Sequence, residues 1–271
     1  MNDRRGEASE ESLVEFLNAG SEITGSLAAA TIGLLIAGPP GALAGAAASP
    51  VLARTIRGVA LEFAGRMLSQ RERVKAASVI EIAANRIQEK IQLGYELRSD
   101  DFLVSEPGRR SVADEVAEGV LISAQREHEE RKLPYLGNLL ANIAFEDDLN
   151  RSQANLLLRL ADRLSYRQLC LLAIFGRKDE FPDLRDGTFE DQFENEPAAE
   201  GFIELIGVLE EANELMVMGL LMQPRRTIMG WGSELNPANV QPYRWGALLY
   251  EVMDLSDLPA AELLLLAETL R

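Results

Sequence analysis

With 271 residues, nearly half of them apolar and about a quarter charged, the chain has the balance of an ordinary globular protein and is not disordered from end to end. Its formal net charge of −16, from 43 acidic against 27 basic side chains, makes duplex nucleic acid an unfavourable partner, because a phosphate backbone is repelled unless cations gather on one face. Cys170 is the only cysteine, which excludes an intramolecular disulfide, and acidic residues precede the first apolar run, which reads against a secretory signal and for a cytoplasmic protein.

Leu13, Phe16 and Leu17 lie at helical spacing between Glu10 and Asn18, and Gly20 can close that helix as a C-cap. Ile23 to Ala37 is apolar and rich in small side chains, and Gly38, Pro39, Pro40 and Gly41 stop it. Ser49 and Pro50 read as an N-cap followed by proline at the first helical position, where a missing N–H costs nothing, and that helix runs to about Leu68. Ser69 and Glu72 have the spacing of a capping box, in which each side chain satisfies a free backbone N–H. The helix they start is expected from Gln70 to Leu93, with Gly94 as its C-cap and Val74, Ala77, Ile80, Ala84, Ile87 and Ile91 as its apolar stripe. Tyr95 to Arg110 reads as a loop.

Ser111 and Asp114 introduce a further helix, Val112 to about Arg131, which Pro134 ends or kinks. Helices are then expected over Tyr135–Phe145, Ser152–Leu164 and Tyr166–Phe175, the last introduced by Ser165 and Gln168. From Asp179 to Glu214 thirteen side chains are acidic and only Arg185 is basic. Arg177 to Pro197 reads as a solvated loop open to proteases, and the rest as an amphipathic helix up to Met222. A loop over 224–242 precedes closing helices at Trp245–Met253 and Ala260–Leu270. The expected fold is all-α, with an N-terminal helical domain over 1–163, an acidic C-terminal helical module over 164–271, and strand confined to 224–243.

The order of the C-terminal third is a helix (SYRQLCLLAIF), a longer helix ending in MVMGLLM, a stretch bounded by Pro and Gly (PRRTIMGWGSELNPANVQPYRW), and a helix opening GALLYEVMDL. This order resembles a winged-helix module, in which a recognition helix leads into a β-hairpin wing. The resemblance implies a nucleic-acid reader, but the corresponding helix carries Glu204, Glu210, Glu211 and Glu214 where base and phosphate contacts need Arg, Lys, Asn or Gln. Those four glutamates are instead candidate contacts for a protein partner, and no nucleic acid is expected.

Catalytic chemistry finds little footing. His128 is the only histidine, so neither a paired Glu-x-x-His site nor an HExxH zinc site can be built. Cys170 sits inside an apolar helix, the setting of a buried inert thiol. No GxxxxGK[ST], GxGxxG or GxSxG sequence occurs. The carboxylate pairs Asp100/Asp101 and Asp147/Asp148 fall in loops, where adjacent acids cap helices or face water. The expectation is a non-enzymatic protein without metal or cofactor.

One segment departs from this ordinary pattern. From Ile23 to Ala53, 31 consecutive residues carry no charge. Small residues recur at every fourth position, among them Gly25, Ala29, Gly33, Ala37, Gly41, Gly45 and Ser49. On a helix that spacing makes one smooth face along which backbones approach closely, as in membrane helix contacts. The prolines split the row, so a helical hairpin over 23–53 is expected. Basic residues follow at once: Arg54, Arg57, Arg66, Arg71, Arg73 and Lys75 are candidates for contact with an anionic membrane surface. Each arm of about fourteen residues spans roughly 21 Å as helix, short of the ~30 Å hydrocarbon core. Three readings stay open: a packed core hairpin, a hairpin released conditionally to membranes or to other copies, and a spanning hairpin. The favoured expectation is an effector that acts conditionally on membranes as an oligomer, a design that suits bacterial cell killing or defence. The alternative is a soluble adaptor whose acidic module binds a protein partner.

Overall fold

The computed structural model describes residues 2–25, 50–105, 108–195, 201–224 and 232–271. Among them are eleven α-helices and a single two-stranded antiparallel pairing, an all-α fold. The chain divides into two compact units, Met1–Arg163 and Leu164–Arg271.

The first unit contains α1 (Asn2–Thr24), α2 (Pro50–Ala64), α3 (Gln70–Gln92), α4 (Val112–Arg126), α5 (Leu133–Asn142) and α6 (Arg151–Arg163). Helix α3 is its centre and packs most extensively on α1 and α5. Because it is covered on two sides, it buries Ala76, Val79 and Ala83 as well as the stripe of Val74, Ala77, Ile80, Ala84 and Ile87. Its start is the Ser69/Glu72 capping box, with both reciprocal hydrogen bonds formed, and the same reciprocal arrangement holds at Ser111/Asp114 before α4.

Helix α1 is longer than the sequence suggests. Gly20 does not end it: the glycine lies within the helix against α3, where an added Cβ would fall 2.7 Å from the Ala77 carbonyl carbon and 2.8 Å from the Ser78 nitrogen. The helix continues to Thr24 and stops at Gly25, whose φ of +64° suits glycine. Ile23 and Thr24 are therefore part of α1. Of the hairpin expected over 23–53, residues 26–49, with Ala29, Gly33, Ala37, Gly41, Gly45 and Ser49, lie outside the described residues. Pro50 opens α2 as expected.

Helix α4 ends at Arg126 and not near Arg131, and Pro134 neither ends nor kinks it. A 3-10 turn at Glu130–Lys132 intervenes, and Pro134 sits in the first turn of α5, where its missing N–H has no intrahelical partner to lose.

The second unit contains α7 (Tyr166–Gly176), α8 (Glu190–Asn195), α9 (Phe202–Val217), β1 (Leu221–Met222), β2 (Gln241–Pro242), α10 (Trp245–Val252) and α11 (Ala260–Thr269). Helix α7, opened by the Ser165/Gln168 capping box, buries every residue from Gln168 to Phe175 and is the unit's centre. Helix α9 stops at Val217, short of Met222, because Gly219 takes a left-handed φ of +72°. The Leu220 amide then reaches the Leu215 carbonyl and the Gly219 amide the Met216 carbonyl, a Schellman ending. That turn frees Leu221 and Met222 to pair with Pro242 and Gln241, so β2 falls inside the expected 224–243 region and β1 just before it. Helix α10 starts against this pairing, with Gly246 so close that a Cβ would lie 1.8 Å from the Leu220 oxygen.

The stretch expected as a solvated loop at Arg177 to Pro197 is irregular up to Phe189 but packed. Phe181, Leu184 and Phe189 are buried, and backbone bonds run from Arg185 to Leu270, from Phe189 to Ser233 and from Ala238 to Arg185. Apolar side chains spaced through an acidic run outweigh its charge repulsion.

Candidate functional site

The uncharged segment singled out in the sequence is reached through α1 and followed by α2, the two helices that leave and re-enter the described part of the first unit. Leu13, Phe16 and Leu17 of α1 are fully buried, as are Ile56, Val59, Ala60 and Phe63 of α2. Each large apolar side chain removed from water in this way contributes ~1.5–3 kcal/mol. Both helices are thus anchored by their own apolar faces.

The basic residues that follow do not form an open cationic patch. Arg57 pairs with Glu10 at 2.8 Å. Arg66 bridges Glu62 at 2.6 Å and Glu118 at 2.5 Å and stacks 4.0 Å from the Phe63 ring centre. Arg71 bridges Glu22 of α1, at 2.6 Å, and Glu130. Lys75 donates to the Glu127 carbonyl at 2.7 Å. Arg54 is exposed and Arg73 half-buried, and neither forms an ion pair among the described residues. The run of basic residues along the chain takes no account of Glu10, Glu22, Glu118 and Glu130, which only the packing of α1, α4 and the 3-10 turn brings alongside. As a physical consequence the guanidinium of Arg66 is stabilised in its charged form: burial lowers its pKa, but the bonds to Glu62 and Glu118 outweigh this and raise it.

Buried charges in this unit, Glu81 and the pair Lys132/Glu127 among them, have no counterpart in the sequence expectations. Glu81 is wholly buried on α3 and accepts a 2.9 Å bond from the Thr24 hydroxyl, in the final residue of α1. A glutamate standing inside the apolar stripe of α3, next to Ile80, is the sequence signal for it. Lys132 and Glu127 form a buried pair at 2.7 Å, and Lys132 also donates to the Asp162 carbonyl. Burial pushes the Glu127 carboxyl up, but Lys132 and the amides of Glu129 and His128 outweigh it and hold the pKa below the ordinary glutamate value.

That engagement bears on the one cluster of metal-ligand type among the described residues, Glu127, His128 and Glu129, whose ligand atoms lie within 4.8 Å of one another. Glu127 spends its carboxylate on Lys132 and two backbone amides, while His128 is 89% exposed. A surface cleft of about 440 Å³ lies between Asp100–Val104, the start of α4 and Asn150–Arg151. Three of its charges are matched, Asp100 by Arg98, Arg110 by Glu118, and Arg151 by Glu115.

In the second unit the four candidate partner-binding glutamates divide. Arg167 of α7 takes Glu204 at 2.8 Å and Glu211 at 2.9 Å, and Gln168 donates to Glu214 at 2.8 Å. Glu210 is exposed. Three of the four therefore help seat α9 on α7. Cys170 is buried in α7.

No family model, curated protein or solved structure matches the chain. Among the described residues, no helix is long and apolar enough to cross a membrane.

Proposed function

We propose that the protein is a non-enzymatic helical effector whose uncharged N-terminal segment acts conditionally on membranes, in an assembly of several copies. The observation that carries this reading is the run of 31 uncharged residues between Glu22 and Arg54, placed between two helices that bury their own apolar faces in the first unit. A run that long, with a small residue at every fourth position, favours close packing of helix on helix, in lipid or between copies. Attachment through a free basic patch is a minor part of the reading, because Arg57, Arg66 and Arg71 are matched by carboxylates. Attack on a cell membrane, as in bacterial killing or defence, would use such a design.

That same matching favours a second reading, a soluble adaptor in which the uncharged segment is core and Glu210, with the exposed faces of Glu204 and Glu214, meets a protein partner. Dye release separates the two. Purified full-length protein added to vesicles containing anionic lipid releases trapped dye under the effector reading. Under the adaptor reading it releases none, and neither reading expects binding to duplex DNA.

A further inference from the structure

The contacts of α1 with α3 are of two kinds, and their positions differ. Leu13, Phe16 and Leu17 hold the middle of α1 by apolar burial. Its last turn holds by other means. Gly20 brings the α1 backbone against the backbone at Ala77 and Ser78, closer than any side chain would allow. Glu22 meets Arg71 at 2.6 Å, and Thr24 donates to the buried Glu81 at 2.9 Å. One residue later, at Gly25, the helix stops, two residues into the uncharged segment.

From these contacts, and resting on the proposed action on membranes, we infer that the last turn of α1 is an autoinhibitory latch. While it is docked on α3, the root of the uncharged segment is fixed to the first unit. An anionic lipid surface releases it. Glu22 is exposed and Ile23 and Thr24 are only half-buried, so this turn can lift without uncovering Leu13, Phe16 or Leu17. Arg71 supplies the sensor. It holds Glu130 through Nε and Nη2 and Glu22 through Nη1, and its side chain is half exposed. A lipid phosphate or carboxylate can take the Nη1 position from Glu22 while the Glu130 pair stays in place, because guanidinium binds planar and tetrahedral oxyanions by the same fork. Such exchange needs contact with the bilayer and weakens with salt.

The test uses the full-length protein, hydrogen exchange of the α1 amides, and dye release from vesicles of phosphatidylcholine with and without phosphatidylserine. Thr24→Val removes the hydroxyl's bonds to Glu81 and to the Gly20 carbonyl while keeping the shape of the side chain. It is expected to raise exchange in the last turn of α1 by roughly tenfold, the scale of one lost hydrogen bond to a charged acceptor. Dye release should speed up with it. Arg71→Gln is expected to loosen the same turn and to abolish the acceleration that phosphatidylserine produces in the unmodified protein. If the unmodified protein releases dye and both variants match it in rate and in lipid dependence, the latch is overturned while the action on membranes stands. Unchanged exchange in Thr24→Val overturns it too. If no form releases dye from any vesicle, the membrane reading falls and takes the latch with it.

Discussion

Lys132 Nζ lies 2.7 Å from a carboxylate oxygen of Glu127, and 2% and 7% of the two side chains remain exposed. The pair joins the end of α4 to the start of α5. Removing one member of such a pair leaves a bare charge in a place water does not reach, which costs ~3–5 kcal/mol. Lys132→Met is expected to lower the melting temperature of the first unit by roughly 10 °C or more. Combining it with Glu127→Gln should restore part of the loss, since the amide can still accept from the backbone at His128 and Glu129. Equal melting of the single and double variants would show that the charge is not what matters.

Acid should weaken the capping of α3. The Gln125 amide, together with the Ser69 hydroxyl and backbone, holds the Glu72 carboxyl down at about 2. A depressed folded value means that this stabilisation is complete above the ordinary glutamate pKa near 4.5 and drains away as pH falls from there towards 2. Carbon-detected titration of Glu72 should therefore give a midpoint well below that of an exposed glutamate, with amide exchange in the first turn of α3 rising over the same window. A Glu72 midpoint at the ordinary value would remove the argument.

Two glycines predict opposite outcomes for one substitution. At Gly246 a Cβ would fall 1.8 Å from the Leu220 carbonyl oxygen and 2.6 Å from its carbon, backbone atoms that cannot step aside. Gly246→Ala should destabilise the second unit by at least ~1–3 kcal/mol. Gly58 is exposed within α2, and a Cβ there meets nothing within 4 Å. Gly58→Ala should stabilise by ~0.5–1 kcal/mol through helix propensity alone. Chemical denaturation of the two variants reads both signs.

The capping residues were legible in the sequence because their signal is local: Ser69, Ser111 and Ser165 each bond three residues ahead, and the helix starts they imply are the ones observed. Gly20 misled because a glycine that ends a helix and one that lets two helices touch look alike without the partner helix. Gly219 was passed over for the opposite reason, since the apolar letters around it continue the helical pattern. The acid–base ties of Arg57, Arg66 and Arg71 reach 47 to 59 residues along the chain, beyond anything a local charge count can see. The acidic run hid the buried anchors Phe181, Leu184 and Phe189 because composition averages over residues that point in opposite directions.

Those anchors alter what proteolysis should show. An unstructured acidic loop would be cut first anywhere between Arg177 and Pro197. With Phe189 buried and the Arg185 backbone bonded to Leu270 and Ala238, the stretch 181–189 should resist protease as long as the second unit stays folded. Phe189→Ala should open it, at a cost of ~3–5 kcal/mol. Early cleavage within 181–189 of the unmodified protein would contradict the packing.

The central claim, that the uncharged segment acts on membranes, is tested most directly by Leu35→Asp. A central aspartate costs about 2.5–3.5 kcal/mol on the insertion scale, so it should block entry into lipid. Melting temperature and dye release from phosphatidylserine-containing vesicles are measured on the same preparations of the unmodified protein and the variant. The effector account expects release by the unmodified protein, its loss in Leu35→Asp, and melting temperatures that agree. No release by the unmodified protein at any pH or lipid composition, with a lowered melting temperature for Leu35→Asp, would mean that the segment is core and the protein an adaptor.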